Sequence, residues 1–457
     1  MLWSKLDLTI KRTDLFIQTW LQRAKGTALA IISAGWESAG TLAMLSSRTR
    51  QITTLSLIYH NWAEVQRFAE ATDGPLPILH NLKIHVTGYD PLGPEITTRP
   101  SLPMFNGAVN LKEFALCTEG LPRLNRFTFP NLTTFVLMVI PEGTFSDEES
   151  LPTLQLLNFL ESTPTLQIVS LEIHVETSSA NVPPKKIINL PHVKRFHSTE
   201  IEPGYKIAAH ISCPSAEYAS LVRAQDAGNP IPQDAFYTSV TWNAVPRQYM
   251  ETQIDAIVLE LDAFQEVSCS LSFTSPGPVT FQLGYKIMVT EEGVRDLRSA
   301  PQTGYLQVFS WASSAIRNHP LLANVRRLRI QDKHIPLTED QLKYVAENVG
   351  QLSGSLGPLD ELALDVSDLR PYLAPFIDLP NVHSMRPTFV YPKIARLVVA
   401  DQSPRTLEVA LKVGILRFAK SQYESGVPFE HVEFQMKIPP VETVGLLQQW
   451  VGSVHCQ

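Results

Sequence analysis

Apolar residues recur along the chain in a short triplet: one apolar residue, two variable positions, a second apolar residue, one variable position, a third. It occurs as Ile52/Leu55/Leu57, Leu79/Leu82/Ile84, Leu111/Phe114/Leu116, Leu132/Phe135/Leu137 and Leu166/Val169/Leu171, and in weaker form as Val193/Phe196. After a gap it returns at Val325/Leu328/Ile330, Leu359/Leu362/Leu364, Ile394/Leu397/Val399 and Phe429/Val432/Phe434. The last two members stand two apart, so they share one face of a strand. Within each set the triplets follow one another at 21 to 35 residues, the final three steps being 34, 35 and 35. A period of this size marks a repeat array, in which no single unit can bury its apolar face alone.

The connections decide how the strands pair. Asn61-x-x-Glu64 is a capping box opening a helix over Trp62–Ala71, and Thr338-x-x-Gln341 opens another that runs to about Val349. A longer amphipathic stretch runs from Pro404 to about Gln422 and closes near Gly426. Strand, helix and strand joined by crossovers of this length pair in parallel with a right-handed turn. The fold class expected is α/β: a right-handed leucine-rich-repeat-like solenoid, or horseshoe, of irregular βα units with a β-rich insertion in the middle.

Four segments follow. Residues 1–50 hold a helix at about Thr13–Lys25, a strand at Leu29–Ser33 and a helix near Ser38–Ser46, and form an N-terminal cap. Residues 51–200 are the first half of the solenoid. Residues 201–303 carry strand-like runs Ile257–Leu261, Ser268–Phe273 and Val279–Val289, split by Ser275-Pro276-Gly277-Pro278, and are expected to fold as antiparallel hairpins. Residues 304–457 are the second half of the solenoid and its C-terminal cap. Tyr89–Pro103 and Gly143–Ser150 are expected as loops.

Composition excludes more than it assigns. With 44% hydrophobic and 18% charged residues, the 457-residue chain is not a disordered polymer. Its net charge of −7 offers no footprint for nucleic acid or an anionic membrane. The longest apolar runs, such as Phe135–Ile140, are far shorter than the roughly 20 residues of a membrane helix. The start, Met1-Leu2-Trp3-Ser4-Lys5, has no secretory h-region, and Cys117, Cys213, Cys269 and Cys456 form no C-x-x-C pair. A reduced protein of the cytoplasm, the nucleus or both is the expectation, with a monomer as its state.

Motifs for chemistry are scarce. The sequence has no phosphate loop, dinucleotide fingerprint, H-E-x-x-H or EF-hand, and no cofactor or metal is called for. Gly35-Trp36-Glu37-Ser38-Ala39-Gly40 is the nearest approach to a nucleophile elbow, with Trp where the first Gly should stand. His192 and His197 fall on opposite strand faces, the acidic group Asp360, Glu361, Asp365 and Asp368 reads as a solvated face, and Trp20, Trp36 and Trp62 read as core. No catalytic residue is assigned and the chain is not expected to be an enzyme. What remains is the face that the triplets leave outward. It holds Lys83, His85, Arg195, His197, Arg327, Arg329, Glu361, Asp365, Arg396, His431 and Glu433, a mixed-charge lining suited to a protein partner.

Several local stretches carry a resemblance. They are Leu2-Trp3 with Trp20-Leu21-Gln22-Arg23-Ala24, His210-Ile211-Ser212-Cys213-Pro214-Ser215-Ala216, Asn318-His319-Pro320-Leu321-Leu322 and Gly357-Pro358-Leu359-Asp360-Glu361-Leu362. Pro371-Tyr372-Leu373-Ala374-Pro375-Phe376, Ala419-Lys420-Ser421-Gln422 and Val427-Pro428-Phe429-Glu430 complete the set. In order and spacing, the chain resembles from end to end the F-box proteins expanded in mushroom-forming basidiomycete fungi. The resemblance implies a solenoid that selects a protein for a cullin-based (SCF) ubiquitin ligase and so for degradation. In that family an F-box precedes the stretch matching Leu2-Trp3, so the chain is expected to lack it, either as a truncated form or as a recognition half that works without the ligase. The ligase adaptor is therefore an expected partner only of a form that carries that module. The alternative is a leucine-rich-repeat scaffold for protein–protein interaction unrelated to ubiquitylation. A glycan-processing β-helix is disfavoured by the helical crossovers.

Overall fold

The computed structural model describes residues 3–35, 37–72, 75–87, 108–118, 124, 129–139, 151–173, 177–178, 186–201, 207–226, 255–262, 267–274, 280–288, 312–313, 315–317, 324–333, 339–366, 369–373, 393–401, 409–436 and 441–456. They form a mixed α/β protein with mostly parallel strands. The chain divides into two compact units, Met1–Leu221 and Val222–Gln457.

In the first unit β1 (Lys5–Leu8), β2 (Leu29–Ser33), β3 (Ile52–Tyr59), β4 (Asn81–Val86), β5 (Glu113–Thr118) and β6 (Thr134–Val139) follow in chain order, each parallel to the next. Past the short β7 (Leu151–Pro152), β8 (Ile168–Ile173) pairs in parallel with β6. Past β9 (Thr177–Ser178) and β10 (Ile188–Asn189), β11 (Arg195–Ile201) pairs with β8. Two small parallel ladders stand apart: β7 with β9, and β10 with β12 (Ile211–Ser212). The unit boundary falls within β13 (Tyr218–Asp226).

Every triplet member is buried, none of them more than 3% exposed. Helices close that face. The helix Trp62–Ala71 sets Phe68 against Tyr59 of β3, and Thr153–Glu161 sets Phe159 4.8 Å from the ring of Phe135 on β6. Both helices and strands are therefore stacked by the same apolar stripe, the main stabilising term in such a layer. At Asn61 the capping box forms in modified shape: Asn61 Oδ1 accepts the Glu64 N–H at 3.0 Å, while Glu64 Oε2 reaches one residue further back to the His60 N–H at 3.1 Å.

The starts of β4, β5, β6, β8, β11 and β13 are built to one plan. The N–H groups of Leu79, Leu111, Leu132, Leu166, Val193 and Ala216 donate to the carbonyls of Leu76, Ala108, Phe129, Thr163, Leu190 and Cys213, three residues earlier. Both ends of each turn are buried. The second residue is Pro77, Pro130, Pro164, Pro191 or Pro214, with Val109 the exception; the fixed φ of proline suits the first corner of such a turn. Immediately afterwards, two consecutive N–H groups converge on one carbonyl of the preceding repeat. Lys112 and Glu113 donate to His80 O, Thr133 and Thr134 to Lys112 O, Gln167 and Ile168 to Thr133 O, and Lys194 and Arg195 to Gln167 O. A carbonyl oxygen has two lone pairs, so one acceptor serves both donors and pins each strand start to the one before it.

The second unit opens with antiparallel strands β14 (Ala256–Asp262), β15 (Val267–Thr274) and β16 (Thr280–Met288), paired β14 to β15 and β15 to β16. On its other side β14 is parallel to β17 (Arg327–Lys333). Parallel pairing continues through β18 (Leu359–Val366), β19 (Ile394–Asp401), β20 (His431–Met436) and β21 (Ser453–Cys456). The convergent pattern returns, Arg326 and Arg327 donating to Asp255 O, and Asp360 and Glu361 to Arg326 O. Helices Glu339–Ser353, Arg370–Leu373, Val409–Glu424 and Val441–Leu447 neighbour one another in that order. Val409–Glu424 ends in paired bonds, Val427 N–H to Gln422 O and Gly426 N–H to Tyr423 O, around Gly426 at φ +78°.

The expected loops 89–103 and 143–150 lie outside the described residues, as do Thr338 of the second capping box, Pro404, Trp36, Asp368 and the stretch 318–322. Among the described residues no helix is long and apolar enough to cross a membrane.

Candidate functional site

With the triplets facing the helices, the strand register aligns the alternate residues in rows on the opposite face. In the first unit one row runs Ser56, Lys83, Ala115, Val136, Ser170, His197. The next runs Ile58, His85, Cys117, Met138, Glu172, Thr199, and a third places Glu113, Thr134, Ile168 and Arg195 side by side. Lys83 and Arg195 are exposed, His85 and His197 half-buried. Lys83 and His197 share a row but stand four strand steps apart, about 19 Å. Between them runs an apolar strip two strands wide: Ala115 and Cys117 on β5, Val136 and Met138 on β6, all half-exposed, flanked by Ile168 at 37% exposure. The charge pattern carries no sign of this strip, because its members are ordinary strand residues until register sets them side by side.

His197 is half-buried on this face. Its Nε2 lies 3.0 Å from Thr199 Oγ1, and burial lowers its imidazole below the ordinary value, opposed by the Glu172 carboxylate. His192, five residues earlier, lies in the turn before β11 rather than on the strand.

In the second unit the rows join up. Arg327, Glu361, Arg396, His431 and Ser453 form one, and Arg329, Ala363, Val398, Glu433 and His455 the next. Arg396 Nη1 donates to Glu361 Oε2 at 3.0 Å and its Nη2 to Glu433; Gln435 Nε2 donates to the other Glu433 oxygen at 2.8 Å. Gln435 and Arg396 together hold the Glu433 carboxyl below its ordinary range, and Glu433 with Glu361 raises the Arg396 guanidinium further. Gln331 donates to Asp365 at 3.1 Å, Arg327 pairs with Asp255 at 2.8 Å, and His431 bonds Ser453. Arg327, Arg329 and His431 are exposed, while Glu361, Asp365 and Arg396 are half-buried. Glu433 is buried, as are Ala363 and Val398 beside it. The middle of this face is closed in the second unit and open in the first.

Groups resembling catalytic ones are committed to structure. Ser38 Oγ accepts the Thr41 N–H at 3.0 Å, capping the helix Ala39–Ser46, and donates to Asp14 Oδ1 at 2.5 Å. Ser33, fully buried, donates to Glu37 at 2.5 Å and bonds the Tyr59 hydroxyl, while Glu37 also accepts the Ala34 N–H at 3.1 Å. Burial and the Glu37 charge raise the Tyr59 hydroxyl well above its ordinary value, so it stays protonated. Trp20 is buried and Trp62 half-buried. Among the described residues no three His, Cys, Asp or Glu side chains gather as metal ligands. Comparison with protein-family models and with curated proteins finds nothing that matches the chain.

Proposed function

We propose that this chain is a non-enzymatic protein-recognition array: a right-handed leucine-rich-repeat-like solenoid whose outward sheet face grips a segment of another polypeptide. The observation that carries the reading is the half-exposed strip of Ala115, Cys117, Val136 and Met138, bordered by Lys83 and His85 on one side and Glu172 on the other. An apolar centre with a charged rim is the usual anatomy of a protein-binding patch. The resemblance to basidiomycete F-box proteins supports substrate selection for a cullin-based ubiquitin ligase in the cytoplasm or nucleus, the adaptor being a partner only of a form that carries an F-box. The chain acts as a monomer in this reading.

Proximity labelling of the chain, with and without a proteasome inhibitor, tests it. Val136→Glu together with Met138→Glu should remove the labelled proteins that wild type captures, with the circular dichroism spectrum unchanged. Labelled proteins that accumulate only under inhibition support substrate selection. A set indifferent to the inhibitor supports the scaffold alternative. Labelling that the double variant leaves intact overturns the assigned surface.

A further inference from the structure

The starts of β5, β6, β8 and β11 border an open groove of about 640 Å³ in the first unit, one residue before the outward row of Glu113, Thr134, Ile168 and Arg195. Successive equivalent positions line it: Lys112, Thr133, Gln167 and Lys194, each linked to the next by the convergent backbone bonds. The step between strands is about 4.8 Å, so the two lysine positions stand about 14 Å apart with neutral polar residues between them. His192 adds an imidazole to the lining. Asn131, whose Nδ2 donates to Val109 O at 2.8 Å, holds the wall in place. Among the described lining residues none is acidic, although the chain carries a net charge of −7. Two carboxylates stand at its ends: exposed Glu113, next to Lys112 in the chain, and Glu217, one repeat further on and 3.0 Å from Lys194 Nζ, where both partners are more than half exposed.

We infer that this groove binds an extended acidic peptide that places carboxylates on Lys112 and Lys194. An extended chain advances about 3.4 Å per residue and presents alternate side chains on one side, so residues i and i+4 lie about 14 Å apart. That separation equals the spacing of the two lysines, and the peptide's intervening residues meet Thr133, whose hydroxyl donates to Lys112 O at 3.0 Å and can still accept, and the Gln167 amide, which can donate or accept. Glu217 occupies Lys194 when the groove is empty and gives it up to the ligand. The site is separate from the outward strip, so its failure leaves that reading untouched.

Fluorescence anisotropy with the full chain and labelled Gly/Ser-based peptides tests the inference. A peptide with Glu at i and i+4 should bind, and one with Glu at i and i+2 should bind about tenfold more weakly, one of its two charge contacts being lost. Lys112→Glu and Lys194→Glu should each lower affinity for the i, i+4 peptide by about tenfold or more, and Glu217→Gln should raise it. Circular dichroism verifies that these surface variants fold. Absence of binding, equal binding of both spacings, or insensitivity to both lysine variants overturns the inference. So does an oligothymidylate that competes as well as the peptide, which would mark a general polyanion surface.

Discussion

Glu200, near the end of β11 and only 1% exposed, accepts the backbone N–H of Ile207 at 2.9 Å. Its other oxygen takes the Ala208 N–H at 3.0 Å and the Ser198 hydroxyl at 3.0 Å. A buried carboxylate is tolerated only when its oxygens are satisfied, and here they fasten the 3-10 turn Ala208–His210 to the strand. Glu200→Ala leaves two buried N–H groups unpaired and should lower unfolding free energy by about 3 kcal/mol. Urea denaturation measures it, and Glu200→Gln, which keeps one acceptor oxygen, should lose less.

Phe159 tests the helix layer. Its ring is 1% exposed and lies against Phe135, with Phe129 at 6.5 Å. Phe159→Ala should cost about 3–5 kcal/mol by leaving a cavity, and Phe159→Leu clearly less. The midpoint of chemical unfolding reports both.

Much of this layer is legible in the sequence, since the triplets mark the buried face and Asn61 and Gly426 mark helix ends. Other parts are not. β1 alternates over only four residues, Lys5-Leu6-Asp7-Leu8, too few to separate from a loop. The repeat Ala216/Ala219/Leu221 escapes because alanine carries little hydrophobic signal, although all three side chains are buried. The Φ-Pro turns stand in the sequence as five similar pairs, but only the bonds from Leu79 to Ala216 reveal them as one repeated device. The outward strip depends on which strands are neighbours, which a single strand's pattern does not contain.

Gly426 isolates a backbone effect. It sits at φ +78°, and a Cβ there would meet nothing within 4 Å. Gly426→Ala should therefore destabilise by about 1 kcal/mol through conformation alone, and Gly426→Asn by less. Thermal unfolding of the three proteins checks the order.

His197 confers a pH dependence of defined sign. Its folded value lies below the ordinary 6.5, so below that pH the unfolded chain binds more protons than the folded one. The stability that comes from holding this ring neutral is complete above the ordinary value and diminishes as the solution is acidified through and below it. Unfolding midpoints measured from about pH 8 to pH 5 should fall, and His197→Gln should flatten that part of the curve.

The thiols should separate by reactivity. Burial pushes the Cys213 thiol up to about 12, whereas Cys456 is exposed. Brief iodoacetamide treatment of the native protein near pH 8 should alkylate Cys456 and spare Cys213, because the thiolate is the reactive form. Peptide mass spectrometry reads the pattern, and modification of both at equal rates would contradict it.

The buried turn and the doubly loaded carbonyl form a cassette: the turn precedes β4, β5, β6, β8, β11 and β13, led by proline in all but β5, and the doubly loaded carbonyl accompanies β5, β6, β8, β11 and β13. Ala108 and Phe129 are 21 residues apart while Phe129 and Thr163 are 34 apart, yet the cassettes interlock in the same way. Alignment is thus decoupled from the length of the intervening connection, leaving natural variation free to lengthen or shorten those connections while the ladder stays in step.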